Sequence, residues 1–331
     1  MHKTLALLTL VGLSACSHEH INGHDHHSHS SDHTHHMESA KDITNIIFTS
    51  SARNCADYAN EYSSQVKDIN KDTDYSGYLK VSLEGGKCTF STNAIPNHDF
   101  NDGSDTFVHN VSEQDITYTI PQAPTINSEV TKLSLGTDNA VFLNGVKLDL
   151  LAAGCFGVGN GFIGCGNTEQ PFRYDPMSPL NDFGTDSHNA HTQPDGAYHY
   201  HGNPLAMFSD DNSSPSPVIG FAADGFPIYG SYFDDNGTIR KAKSNYVLKD
   251  NGGPRKDISF AGKTYAPGGN YNGQFIDDYV YDVSSGGDLD ECNGMFVDGH
   301  YGYYVTDNYP WVLKCFKGTP DSSFNKAPPE L

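Results

Sequence analysis

Short runs of alternating apolar and polar residues recur along this chain from about Ile43 onwards, separated by Gly, Asn, Asp and Pro. A period of two predicts strands, because successive side chains of a strand point to opposite faces. The clearest runs predict strands at residues 78–83, 116–120, 141–143 and 301–305. A further strand is predicted at Tyr198-His199-Tyr200-His201, with both imidazoles on one face and both phenols on the other.

One stretch, residues 55–66, predicts a helix with Asn54 at its N-cap position. Glycine-rich stretches such as residues 154–166 predict loops. We therefore predict a mostly β fold, with one large antiparallel domain, long loops and one short helix. An α+β fold is the alternative.

The stretch around the two Tyr-His pairs has a partial copy near the end of the chain. Residues 195–201 align with residues 298–304, so that Gly302 and Tyr304 stand where the first copy has His199 and His201. A second, weaker similarity aligns residues 224–228 with residues 307–311. The copies predict two hairpin-like units that pack against each other with their tyrosine faces inward.

The first residues of the chain do not read as part of this domain. Residues 1–16 contain Lys3, an apolar run and then Leu13-Ser14-Ala15-Cys16, which resembles a bacterial lipoprotein signal with Cys16 as the lipidated residue. The apolar run is too short to cross a bilayer, so we expect a lipid anchor as the only membrane contact. Ser17 after Cys16 favours an outer-membrane lipoprotein that faces the periplasm or the cell surface, and secretion is the alternative.

Residues 17–41 are rich in histidine and poor in apolar side chains, and therefore predict a disordered tether. Clustered neutral imidazoles with acidic residues between them suit the capture of zinc, copper or nickel. We assign residues 42–320 to the domain and residues 321–331 to a disordered tail.

Cysteine usage fits an exported chain. Beside Cys16 there is an even number of cysteines, which predicts disulfides rather than a metal site because Cys-x-x-Cys pairs are absent. Proximity in sequence favours the three pairs Cys55–Cys88, Cys155–Cys165 and Cys292–Cys315.

Charge narrows the choice of partners. The chain has 41 acidic and 20 basic residues, which gives a formal net charge of −21. Such a balance argues against nucleic acid and anionic membrane surfaces as partners, and it favours cations.

The candidate metal ligands are four histidines that lie close together in sequence. His188 and His191 have the spacing of a turn, whereas His199 and His201 have the spacing of a strand. Imidazole nitrogen binds zinc and copper, so the cluster predicts a site for one of these metals. Four histidines would close the site, whereas three would leave an open position for a nucleophilic water. The alternative is that the histidines hydrogen-bond loop carbonyls.

Carboxylates that would orient such ligands are also close in sequence or in the copy. We expect Asp186, Asp195 or Asp298 to serve this purpose. His98 and His300 are further candidates that only the tertiary fold would bring to the site.

The motif and its surroundings resemble the YHYH-domain family of exported proteins. The likeness covers most of the chain from about Ile43 to Gly318, and it includes residues 95–99, 143–146, 220–229 and 289–294. It implies the extent of the domain more than it implies an activity.

Three functions are consistent with these features. The first is a lipid-anchored envelope protein that binds copper or zinc at the histidine cluster, with the N-terminal histidines as a collector of metal. The second is a metal-dependent hydrolase or oxidase that uses the same histidines. The third is a non-catalytic adhesion or binding domain, in which tyrosines contact glycans or proteins.

Overall fold

The β-branched and aromatic runs form strands, as predicted. The protein is described by a computed structural model that covers residues 39–103, 106–161 and 163–326. The strands in these residues are β1 (Lys41–Asp42), β2 (Asn60–Asp68), β3 (Thr73–Glu84), β4 (Lys87–Thr92), β5 (Ile116–Pro121), β6 (Thr131–Lys132), β7 (Ala140–Phe142), β8 (Lys147–Leu148), β9 (Ala190–Thr192), β10 (Tyr198–Tyr200), β11 (Val218–Ala222), β12 (Pro227–Tyr229), β13 (Tyr232–Asp235), β14 (Thr238–Lys241), β15 (Tyr246–Leu248), β16 (Ile258–Phe260), β17 (Lys263–Tyr265), β18 (Tyr279–Tyr281), β19 (Gly294–Val297), β20 (His300–Tyr304) and β21 (Cys315–Phe316). The fold is mostly β, and each of the five predicted strands is present.

Two sheets form the core. One has five strands in the order β1-β2-β3-β4-β5, and the other has eight in the order β19-β20-β12-β11-β7-β8-β10-β9. Their buried faces share one hydrophobic cluster, in which the rings of Phe90 on β4 and Phe221 on β11 lie 6.0 Å apart. Most strand pairs are antiparallel, but β1–β2, β8–β10 and β12–β20 are parallel.

The predicted helix at residues 55–66 is wrong beyond its first turn. Cys55–Tyr58 is a 3₁₀-helix, and its N-cap is Asn54, whose side-chain oxygen accepts a hydrogen bond from the Ala56 amide at 2.9 Å. Residues 60–66 belong to β2, where Ser64, Val66 and Asp68 alternate into the interior and the strand pairs with β3. Long-range pairing has overridden a local helical preference. The other 3₁₀-helices in the described residues are Lys249–Gly252, Ile276–Asp278, Val283–Ser285 and Ser322–Phe324.

The folded region extends beyond both predicted boundaries of the domain. Lys41–Asp42 pairs with β2, so Lys41, the last residue of the predicted tether, is the first residue of a strand. At the other end Phe324 is fully buried and stacks on Tyr118, because an aromatic side chain gains by leaving water. Residues 321–326 of the predicted disordered tail are therefore part of the fold, and residues 327–331 lie outside the described residues. The predicted signal, Cys16 and the histidines between 18 and 36 lie outside the described residues.

Three disulfides form among the residues that the structure describes, and their pairing is the predicted one. Cys55–Cys88, Cys155–Cys165 and Cys292–Cys315 are bonded, with sequence separations of 33, 10 and 23 residues. Disulfides of this kind fit an exported protein. Within the described residues, no helix has the length and apolar character needed to cross a bilayer.

The eight-stranded sheet is built from two halves with the same strand pairing. In one half the hairpin β7–β8 is followed by β10 parallel to β8, and in the other the hairpin β11–β12 is followed by β20 parallel to β12. The two halves meet where β7 pairs with β11 at the centre of the sheet. Leu148 lies opposite Tyr200, as Ile228 lies opposite Tyr303.

This register confirms the alignment of residues 195–201 with residues 298–304, but it contradicts the predicted packing of the two units against each other. Tyr198 and Tyr200 correspond to Tyr301 and Tyr303, but the two units lie at opposite ends of one sheet and do not pack together. The predicted alignment of residues 224–228 with residues 307–311 is wrong. The turn at Asp224-Gly225 corresponds to the turn at Asn144-Gly145, and not to residues near 307, because each turn stands four residues before the paired Ile228 or Leu148.

Equivalent hydrogen bonds support the repeat. Tyr198 donates to Asp186 at 2.8 Å, and Tyr301 lies 3.1 Å from Asp290. Each of these carboxylates also accepts the amides two and four residues further on, in one half His188 and Ala190 and in the other Cys292 and Gly294. The two halves therefore share the same strand pairing and the same hydrogen bonds, and they differ in the side chains at equivalent positions.

Candidate metal centre

Three histidines converge at one end of the eight-stranded sheet. His191 on β9 lies directly opposite His199 on β10, because these strands are antiparallel neighbours in that register. His201 is two residues beyond His199 and therefore faces the same side of the sheet. Nε2 of His201 lies 3.1 Å from Nε2 of His199 and 3.0 Å from Nε2 of His191. All three ligand atoms lie within 4.8 Å of one another.

These separations match what a metal ion requires. Zinc is bound by imidazole nitrogen at about 2.0–2.1 Å, and tetrahedral ligands at that distance stand about 3.3 Å apart. Two of the three separations, 3.0 and 3.1 Å, are close to this value, and the third is no more than 4.8 Å. The three side chains can hold one transition metal ion after small adjustments.

Hydrogen bonds to the other ring nitrogens set the tautomers of two of the three histidines. Nδ1 of His191 lies 2.6 Å from the Phe183 carbonyl, and Nδ1 of His199 lies 3.3 Å from the Ala197 carbonyl. A carbonyl only accepts, so each Nδ1 carries the proton and each Nε2 presents a lone pair.

The three imidazoles together do not carry enough protons to give every ring-nitrogen lone pair at the centre of the site a hydrogen bond. Nδ1 of His201 is buried and has no hydrogen-bond partner among the described residues. A proton on Nε2 of His201 can satisfy one neighbouring lone pair but not both. Buried lone pairs that face each other are unfavourable, and a cation among them removes the repulsion.

Burial also keeps the site neutral in the absence of a metal. It lowers the pKa of His199 and of His201 well below the usual histidine range, and the neighbouring imidazoles add to the effect. Burial lowers the pKa of His191 as well. Neutral imidazole is the form that binds metal, so at neutral pH no proton has to leave the ligand nitrogens.

The tyrosines of the motif hold the strand from its other face. Tyr198 donates to Asp186, and the hydroxyl of Tyr200 accepts from the Asn144 amide at 2.9 Å and lies 2.6 Å from Nε2 of His98. Nδ1 of His98 lies 2.7 Å from the carbonyl of Asp99, so its Nε2 is the acceptor for the Tyr200 hydroxyl. Burial lowers the pKa of His98 to about 3, which identifies it as a neutral core residue.

Other predicted site residues lie elsewhere. The ring of His188 packs against that of His98 with centroids 3.9 Å apart, and His188 is not part of the converging group. Asp195 accepts from the Ala197 amide within a turn, and Asp298 lies 3.7 Å from Arg53 at the surface. His300 is exposed. Asp186, which anchors Tyr198, supports the motif through the face opposite the histidines.

A charged network beside the triad was not anticipated. Lys147 on β8 donates to Gln193 at 2.9 Å and pairs with Asp138 at 3.1 Å, and Gln193 donates to Asp149 at 2.9 Å. Lys326 pairs with Asp149 as well. Burial raises the pKa of Asp149. The sequence signal is the alternation Val146-Lys147-Leu148-Asp149-Leu150, in which charged residues recur on one face of an otherwise apolar strand.

The triad opens into a cavity of about 710 Å³. His191, His199 and His201 line it together with Asp149, Gln193 and a larger number of apolar side chains. Three protein ligands at the edge of such a cavity leave a coordination position for water or a small molecule, as in catalytic rather than structural zinc sites.

Comparison with known proteins identifies one family. A family model described as "YHYH protein" matches residues 117–318, which contain the whole eight-stranded sheet and the histidine triad. No curated protein and no solved structure matches this chain.

Proposed function

The chain belongs to the YHYH protein family, and we propose that it binds one transition metal ion, zinc or copper, through His191, His199 and His201. The observation that carries the proposal is the convergence of three Nε2 atoms, two of them on buried histidines and one on the half-buried His191, with separations of 3.0 and 3.1 Å; carbonyls on the opposite ring nitrogen fix two of the three as acceptors. Nitrogen ligands favour zinc and copper over calcium or magnesium.

The rest of the proposal concerns the place of the protein in the cell. We propose a lipid anchor at Cys16, an outer-membrane location, and a histidine-rich N-terminal stretch that raises the local concentration of metal. The disulfides and the absence of a spanning helix in the described residues are compatible with an exported, anchored protein. Replacement of Cys16 by Ser should release the protein from membranes into the soluble fraction.

Metal analysis tests the site itself. Protein that lacks residues 1–36 removes the competing N-terminal histidines and retains every described strand. We expect about one equivalent of zinc or copper per chain, and less than about a tenth of an equivalent in His201→Ala, because two imidazoles hold these ions far more weakly than three. His300→Ala is the matched control, since His300 is exposed and outside the triad. Equal metal content in His201→Ala and wild type would refute the proposal.

A second function, metal-dependent hydrolysis, is favoured by the cavity and by the number of ligands. Three ligands leave room for a metal-bound water, and Asp149 lines the same cavity with a buried oxygen, Oδ1, that has no hydrogen-bond partner among the described residues. A carboxylate in this place is suited to accept a proton from such a water.

An ester assay distinguishes this function from metal binding alone. We expect the zinc-loaded protein to hydrolyse 4-nitrophenyl hexanoate, and Asp149→Asn to lower kcat by about 100-fold or more while metal content is unchanged. A rate for the zinc-loaded wild type no higher than that of His201→Ala would leave metal binding as the function and exclude this catalysis.

A further inference from the structure

The cavity above the triad has mostly apolar walls. Phe107, Leu135, Leu151, Ala152 and Phe183 are among the side chains that line it. Its volume of about 710 Å³ lies within the range of about 300–1,000 Å³ that is typical of pockets for small organic molecules. A site that served only to hold a metal ion would not need this volume.

The rim of the cavity contains two large apolar side chains beside the exposed polar residues Thr106, His109 and Asp182. Val108 and Ile163 line it, and their side chains are 91% and 64% exposed. Large apolar side chains that surround a pocket and remain in contact with water are typical of a surface that a ligand covers. The apolar lining thus continues from the rim towards the histidines.

The charges at the base of the cavity determine which chemical group of a ligand binds next to the metal. Three neutral imidazoles do not neutralise a divalent ion, so an anion is the favoured fourth ligand. Lys326, the lysine among the described lining residues, already pairs with Asp149. Asp182 is the other carboxylate in the lining, and its Oδ1 accepts from the Gly184 amide at 3.2 Å. The bound metal is therefore the place for an anionic head group.

We propose that this cavity binds an amphiphilic monoanion, a carboxylate with an apolar chain, whose head coordinates the metal and whose chain lies along the apolar walls. The inference rests on the metal site proposed above, and it adds the chemical class of the ligand. The same pocket would accept a fatty acid or an aromatic acid, because both have a carboxylate head and an apolar body.

The test uses cobalt(II) in place of zinc, because its visible spectrum changes when the fourth ligand changes. Acetate, butanoate, hexanoate and octanoate are titrated into the cobalt-loaded protein that lacks residues 1–36. We expect the Kd to fall by about fourfold for each methylene, as transfer of a methylene from water into an apolar site predicts. Hexan-1-ol, which has the chain without the anionic head, should leave the spectrum unchanged.

Substitutions at the rim test the role of the cavity independently of metal binding. Val108→Asp and Ile163→Asp should retain cobalt but lower the dependence to less than about twofold per methylene, because the chain then meets a charged, hydrated wall. Val283→Asp is the matched control, since Val283 is 76% exposed and does not line the cavity. The substituted side chains are exposed, so the fold should be retained.

Each result has a definite meaning. Cobalt binding with a Kd that does not depend on chain length, or with no spectral response to any carboxylate, overturns the ligand proposal and leaves the metal site intact. Failure of the protein to bind cobalt, zinc or copper overturns both proposals. A steady fall of Kd with chain length that the rim variants remove supports the amphiphile.

Discussion

Saturating zinc raises the Tm of the protein that lacks residues 1–36 by about 8 °C, and the same zinc leaves the Tm of His199→Ala unchanged. Only the folded chain brings Nε2 of His199, His191 and His201 together, so zinc binds the native state in preference to the unfolded state. At a zinc concentration about 1,000 times the Kd, this adds about 4 kcal/mol to the free energy of unfolding. For a domain of this size, 1 kcal/mol corresponds to about 2 °C.

The comparison is made within each variant, with and without zinc. His199 is buried, so its replacement changes the Tm even without metal, but that change cancels when the zinc-induced shift is measured. His300→Ala should show the full shift. A zinc-induced shift in His199→Ala as large as that of the wild type would mean that the stabilising ion binds at another place in the folded chain.

Removal of the Cys55–Cys88 disulfide is expected to change the stability of the fold by a similar amount. The bond joins the 3₁₀-helix before β2 to β4 and closes a loop with a sequence separation of 33 residues. A loop of that length restricts the unfolded chain enough to contribute about 4 kcal/mol. Cys55→Ala combined with Cys88→Ala should lower the free energy of unfolding by this amount in urea denaturation.

The disulfide that closes the shortest loop provides the matched control. Cys155–Cys165 has a sequence separation of only 10 residues, so its removal should cost less, about 3 kcal/mol. Each pair is replaced by alanine, so the chemical change is the same in both variants. If loss of Cys155–Cys165 costs more than loss of Cys55–Cys88, loop length does not set the contribution of these bonds.

Much of the fold follows from local sequence patterns. Alternation of apolar and polar residues located β3, β5, β7, β10 and β20, and proximity of cysteines was enough to pair the disulfides. Where the prediction failed, at residues 55–66, the strand is determined by pairing with β3. That partner lies across a hairpin, and a local pattern carries no information about it.

The same distinction applies to the site. His199 and His201 were predicted on one face because the two-residue period of a strand requires it, and His191 joins them because β9 pairs with β10. His188 was grouped with them by nearness in sequence, but its ring packs on His98, which is 90 residues away in sequence. The roles of Asp149 and Lys147 depend on β8 lying beside β10, a parallel pairing that a local pattern does not reveal.

The two halves of the large sheet also differ in the space around the motif. A side chain at Gly302, which corresponds to His199, would place its Cβ 2.4 Å from the ring of Tyr229. Met295 lies opposite Gly302, as His191 lies opposite His199. The second half therefore keeps the tyrosine anchors and fills the place of the imidazoles with an aromatic ring.

This repeat gives the molecule an internal reference for hydrogen exchange. Amides of β10 and β20 occupy equivalent strands with equivalent neighbours, yet only β10 adjoins the three imidazoles. Slower exchange at residues 198–201 after addition of metal, with no change at residues 301–304, reports the local effect of the ion. A change in both places reports tightening of the whole sheet, so one experiment on one sample separates local ligation from global stabilisation.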